Sequence, residues 1–162
     1  MSAKILWVED DPDDVLLIGR AIRKAGLEPP ALVRDGREAV AYLSGAEPYA
    51  DRRVHPFPSL ILLDLKLPRM SGFELLQWIR EHEEISRTPV VMFTSSREKS
   101  DIDQAYRLGA NAYLLKSVDH DHLVETLRRL RAFWLELNLH PEPSREIVVA
   151  ASAPAPLQKD KP

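Results

Sequence analysis

Three apolar runs in this chain each end on residues that can do chemistry. Ile5 to Val8 runs into Glu9, Asp10 and Asp11, Leu60 to Leu63 runs into Asp64, and Ala112 to Leu115 runs into Lys116. Brought together, Glu9, Asp10 and Asp64 would repel one another, and full ionisation is disfavoured unless a cation is present. A set of hard oxygen donors with open positions suits Mg²⁺, which keeps several waters and takes one or two carboxylates plus a phosphate. Lys116 would add a fixed positive charge at the same place.

The elements around these residues explain how they could meet. A continuous apolar run of four or five residues is the pattern of a parallel strand covered on both faces. Ligands of such sheets bind just beyond the carboxyl ends of the strands. Asp11-Pro12-Asp13-Asp14 reads as a helix start: Asp11 caps, Pro12 suits the first helical position, and Asp13 and Asp14 favour the positive end of the helix dipole. That helix runs to Ala25 and stops at Gly26. A short strand, Ala31 to Arg34, leads through Asp35-Gly36 into a helix ending near Ser44. Residues 46–58, with Pro48, Pro56 and Pro58, read as an extended loop. After the Asp64 strand a turn over residues 67–72 precedes a helix to about Glu84. Thr88 to Phe93 is a fourth strand, followed by a helix from about Glu98 to Leu108. The Lys116 strand and a long helix, roughly Asp119 to Asn138, complete five βα units. The expected architecture is α/β, a doubly wound five-stranded parallel sheet with helices on both faces.

Composition narrows the function classes. The 162 residues leave room for one domain, read as 1–140, plus an extension over 141–162. A net charge of -3 gives no bulk reason to expect DNA or RNA as a partner. There is no cysteine, which removes disulfides, thiolate metal sites and thiol catalysis. No apolar run reaches the roughly 18 residues of a membrane span, and Met1 to Lys4 lead directly into a strand, so the expectation is a cytoplasmic protein with no membrane partner. The extension is rich in proline and alanine. Within it, Arg145 to Val149 has strand-forming residues that could form an arm docking on a second subunit.

Four blocks in order, Val8-Glu9-Asp10-Asp11-Pro12, Leu62 to Pro68, Phe93-Thr94-Ser95-Ser96 and Gly109 to Lys116, resemble those of receiver domains, the phospho-accepting half of two-component response regulators. The resemblance spans residues 3 to about 138. It implies a flavodoxin-like (βα)5 fold with strand order 2-1-3-4-5. It also implies that Asp64 accepts a phosphoryl group from a histidine kinase, as a carboxylate can, and that Mg²⁺ is held by Asp10, Asp64, the backbone carbonyl of Lys66 and, through water, Glu9. Lys116 would face a phosphoryl oxygen, Thr94 would move toward that group, and Tyr113 would turn into the space vacated, so that Thr94 and Tyr113 form the switch. Ser95, being small, would leave the site accessible. Loss of the phosphoryl group would be slow self-dephosphorylation rather than enzyme turnover.

The ending Phe133-Trp134-Leu135-Glu136, the long loop before the third strand and the lack of an output domain resemble single-domain regulators partnered with phytochrome-type histidine kinases. In the last helix Leu123, Leu127, Leu130, Trp134 and Leu137 form one stripe. Phe133 and Leu135 fall to its two sides, so a homodimer through this helix or the C-terminal arm is expected. Leu16 lies opposite the buried stripe of the first helix, where a kinase could dock. Three positions depart from the family pattern: Ser117 stands where proline usually follows the lysine, Ser71 replaces an acid, and Glu9 stands for Asp. Two alternatives stand beside this reading: an aspartate-nucleophile phosphatase, weakened because Lys66 occupies the place of its second acid, and a phosphorylation-independent interaction module, against which the full set of Asp10, Asp64, Thr94 and Lys116 argues.

Overall fold

The computed structural model describes residues 4–141. The arm expected over Arg145 to Val149, and most of the extension, lie outside the described residues. The elements are β1 (Ile5–Val8), α1 (Pro12–Lys24), β2 (Ala31–Val33), α2 (Gly36–Ser44), β3 (Leu60–Leu63), α3 (Gly72–Glu81), β4 (Val90–Thr94), α4 (Lys99–Arg107), β5 (Ala112–Leu115) and α5 (His120–Leu130). All strand pairs are parallel, in the order β2-β1-β3-β4-β5. The α/β flavodoxin-like expectation holds.

Alternation along the strands divides the core in two. Leu6, Val8, Ile61, Leu63, Val90 and Met92 face the layer of α2 and α3, whereas Ile5, Trp7, Leu60, Leu62, Val91 and Phe93 face α1 and α5. The same parity in β5 sends Tyr113 toward the first layer and Ala112 and Leu114 toward the second. Every residue of β1, β3 and β4 is buried. β5 is only half-buried, because it is the sheet edge and α4 buries a single side chain, Ala105.

The helix ends follow the local chemistry. Asp11 caps α1, its Oδ1 accepting the N–H groups of Asp13 and Asp14 at 2.8 and 3.2 Å. Ser71 and Glu74 form a reciprocal capping box at α3. α1 is followed by Gly26 at a φ of 76°, a left-handed position that glycine adopts without steric cost. α3 is shorter than its pattern suggested, ending at Glu81, with backbone turns through Thr88.

Two differences from expectation are larger. Residues 46–58 are a packed cap on α2, not an extended loop. Arg52 donates to the carbonyls of Tyr42 and Leu43 in the last turn of the helix and lies 4.0 Å over the Phe57 ring. Tyr42, Tyr49 and His55 pack ring against ring beside it. The last helix also changes pitch: after Leu130 it widens into a π-type segment, Arg131–Leu137, closed by an Asn138 N–H to Phe133 carbonyl bond of 2.8 Å. The wider turn rotates the apolar stripe. Trp134 and Leu135 both pack on the core, while Leu137, expected in the stripe, is 73% exposed with Phe133 at 53%.

Candidate phosphoacceptor and cation site

Glu9, Asp64 and Lys116 all carry the strand parity of the α1/α5 face, one step past the ends of β1, β3 and β5. Parallel pairing aligns those ends, with the Asp64 N–H donating to the Val8 carbonyl at 3.2 Å and the Lys116 N–H to the Thr94 carbonyl at 2.9 Å. The Lys116 side chain, 8% exposed, places its ammonium 2.8 Å from Asp64 Oδ2, 2.8 Å from Asp14 Oδ2 and 2.5 Å from Glu9 Oε2. Asp64 Oδ1 accepts the N–H of Leu65 at 2.7 Å. A cleft opens over these groups, lined by Asp10, Asp11, Pro12, Asp14, Asp64, Lys66, Ser95 and Lys116.

The electrostatics are those of a site short of positive charge. Burial is the main influence on Glu9 and pushes its carboxyl up to about 7, against the opposing pull of Lys116. For Lys116, burial favours the neutral amine, yet the carboxylates of Asp14, Asp64 and Glu9 around it outweigh that and hold the group above the ordinary lysine range. The ammonium therefore stays charged. Glu9 Oε1 accepts the Asp11 N–H at 3.2 Å. Its Oε2 is paired with Lys116 by charge but has no hydrogen-bond donor, a buried carboxylate oxygen left unsatisfied.

One oxygen from each of Glu9, Asp10 and Asp64 lies within 4.8 Å of the others. That all-oxygen set, with one oxygen lacking a donor, fits a hard divalent cation. Gly72 keeps the set compact: its N–H donates to the Leu65 carbonyl at 2.9 Å, and a Cβ there would lie 2.2 Å from the backbone oxygen of Asp64.

Residues 5–128 match the response regulator receiver domain. The chain belongs to that family. It is similar to the response regulator Rcp1 of Synechocystis, with 35% identity over 82% of this chain and 88% of that one. The Mn²⁺-bound form of Rcp1 superposes with a TM-score of 0.74 at 34% identity, covering 86% of this chain and 99% of that one. Response regulator RPA3017 in red light signalling of R. palustris gives a TM-score of 0.81 at 31% identity over 86% and 98% of the two chains. The phosphorylated cyanobacterial phytochrome response regulator RcpA gives 0.76 at 36% identity over 87% and 99%. The protein is thus a receiver-domain signalling protein homologous to phytochrome response regulators.

The receiver brings the expected residues together unevenly. Glu9, Asp10, Asp64 and Lys116 converge, and Lys66 and Ser95 line the cleft beside them. Thr94 and Tyr113 form a separate group on the opposite parity. Thr94 is buried, and its Oγ1 accepts the Ser96 N–H at 3.3 Å, while the Tyr113 hydroxyl donates to the Ser96 carbonyl at 3.0 Å. Ser96, whose Oγ also donates to Asp101 at 2.5 Å, links the two. The bond between Lys116 and Ser117 is trans. Leu16 is 53% exposed, as its helical position required.

Three participants escaped sequence reasoning. Asp14 reads as a helix-dipole acid, yet it holds Lys116. Ser96 carries no signal beyond its place in the Thr94 block. Arg69, in left-handed backbone at a φ of 65°, pairs at 2.6 Å with the buried Asp35 and ties the loop carrying Lys66 to α2.

Proposed function

We propose that this receiver takes a phosphoryl group from a histidine kinase onto Asp64, with Mg²⁺ as the cation, and signals by a change of conformation. The observation that carries the reading is the Asp64 carboxylate set between a charged lysine, 2.8 Å away, and the oxygens of Glu9 and Asp10. Mg²⁺ would be held by Asp10, Asp64, the Lys66 carbonyl and, through water, Glu9. When bound, it neutralises charge on the transferred group. Asp64 supplies the attacking oxygen. Lys116 supplies a fixed positive charge for a phosphoryl oxygen, kept in its charged form by its carboxylate neighbours. The Leu65 N–H holds Asp64 Oδ1 and so orients the carboxylate.

Phosphorylation adds about −1.5 to −2 charges and strong acceptor oxygens. Thr94 exchanges its Ser96 contact for the phosphoryl group, and Tyr113, bonded to the same residue, reports the exchange at the α4–β5 surface. Water entering past the small Ser95 returns Asp64 slowly to the free carboxylate, so the protein acts as a timed signal and not as an enzyme on an external substrate. Similarity to the phytochrome response regulator RcpA supports a phytochrome-type kinase as the partner, and we place the exchange in the cytoplasm. The exposed Phe133 and Leu137 support a homodimer formed through the last helix. We read residues 1–140 as the receiver and 141–162 as an extension of it.

The test is incubation with Mg²⁺ and acetyl phosphate, read by intact mass. The wild type gains one phosphoryl group and Asp64→Asn gains none. No incorporation from either acetyl phosphate or the kinase would sink the reading. For the dimer, light scattering should show Phe133→Ala dissociating at concentrations where the wild type is paired, and a wild type monomeric throughout refutes it.

A further inference from the structure

Asp14 lies in the first turn of α1, 102 residues from Lys116, yet its Oδ2 accepts from the ammonium at 2.8 Å, the same distance as Asp64 Oδ2. An ammonium has three N–H donors and no acceptor. Asp14 and Asp64 each take a hydrogen bond, and Glu9 crowds the third side at 2.5 Å. A carboxylate oxygen thus stands within 2.8 Å of the ammonium on three sides, so one must yield when a phosphoryl oxygen arrives.

The three differ in how easily they can. Glu9 is fully buried and belongs to the cation set. Asp64 carries the phosphoryl group itself. The Asp14 side chain is 35% exposed, against 9% and 0% for Asp64 and Glu9, and it stands outside the cation set, at the wall of the cleft. Water can solvate Asp14 when it lets go, at far less cost than for a buried carboxylate. Its neighbour Asp13 is exposed and lies outside the cleft.

We infer that Asp14 is a positioning residue that competes with the phosphoryl group for Lys116: it tethers the ammonium in the resting protein and surrenders it on phosphorylation. The inference rests on Asp64 as acceptor. As an Asp64 oxygen bonds to phosphorus, the bond from phosphorus to the acetate oxygen of acetyl phosphate breaks, and acetate leaves with that electron pair. Asp14 opposes this step twice. It occupies a donor that the phosphoryl oxygens need, and it adds a negative charge to the wall past which the anionic donor must come.

The experiment follows phosphoryl incorporation from acetyl phosphate at saturating Mg²⁺ in Asp14→Asn, Asp14→Glu and Asp13→Asn. Asp14→Asn should react about threefold to tenfold faster. Asp14→Glu, which keeps the charge and can still reach Lys116, should stay within about twofold of wild type. Asp13→Asn, which removes an equal charge from the same helix turn, should also be unchanged. An Asp14→Asn rate equal to or below wild type, or an equal acceleration in Asp13→Asn, overturns the inference. A second readout needs neither cation nor phosphoryl group: in metal-free protein, the ¹⁵N-resolved Lys116 ammonium protons should exchange with water severalfold faster in Asp14→Asn. Unchanged exchange overturns the tether. Failure of the wild type to incorporate phosphate, with the exchange difference present, would count against Asp64 as acceptor and not against the tether.

Discussion

The two faces of the sheet do different work and are built differently. On the α1/α5 face, α1 buries Ile18, Ala21 and Ile22 and α5 buries Leu123, Val124, Leu127 and Leu130, and this parity carries Glu9, Asp64 and Lys116. On the other face, at the β4–β5 end, α4 buries only Ala105 over a half-buried β5, and this parity carries Thr94 and Tyr113. Charge-handling groups need fixed distances, and dense packing provides them. A group that must change partners is better placed where few apolar contacts resist local opening. Under the proposed function, the contrast separates the rigid half of the receiver from its movable half along a period of two residues.

Removing Lys116 should break the contrast most severely, because the lysine ties the edge strand to the packed centre. Lys116→Ala leaves three carboxylates without their shared cation. Loss of one partner from a buried ion pair costs about 3–5 kcal/mol, and urea unfolding of metal-free protein should show a loss of this size, partly restored by divalent cation. Next in size is a pair of truncations. Leu62→Ala, on the dense face of fully buried β3, should cost about 2–5 kcal/mol, whereas Leu115→Ala on half-buried β5 should cost less than half as much. Equal costs would erase the distinction between centre and edge.

The pH response sharpens the electrostatic side. Glu9 holds its proton up to about 7 in the fold, against 4.5 ordinarily. Its contribution to the stability of metal-free protein is therefore complete below about pH 4.5 and is lost as pH rises through about 7. Denaturant midpoints should show that decline, and Glu9→Gln should flatten it. Since the proton and the cation compete for Glu9, Mg²⁺ affinity measured by titration should climb over the same range. The smallest effect belongs to the movable half. Tyr113→Phe removes one partly exposed hydrogen bond to Ser96 and should cost about 1 kcal/mol or less, while hydrogen exchange of the β4–α4 loop quickens and that of β1 and β3 does not.

Much of this was legible in the sequence because it obeys local rules. Apolar runs gave the strands, Asp11 and Gly26 marked the ends of α1, and acids or lysine at strand ends marked the site. Contacts set by three-dimensional closeness were not legible. Asp14 meets Lys116 across 102 residues, and its place in a helix's first turn suggested only a dipole role. Arg52 capping α2 needed the path of a proline-containing loop, which composition described as merely irregular. The π-type turn after Leu130 has no residue signature in this stretch, so a 3.6-residue stripe assigned Leu137 inward and Leu135 outward, the reverse of what the widened turn does.

Gly72 has a consequence for anyone moving this chemistry to another scaffold. With a Cβ at 72 only 2.2 Å from the backbone oxygen of Asp64, the proposed acceptor and the start of the next helix are in effect one part. A graft that carried Glu9, Asp10, Asp64 and Lys116 but gave position 72 to alanine would push the acceptor out of line. The portable unit is the whole segment from Asp64 to Gly72, with its crossing left bare.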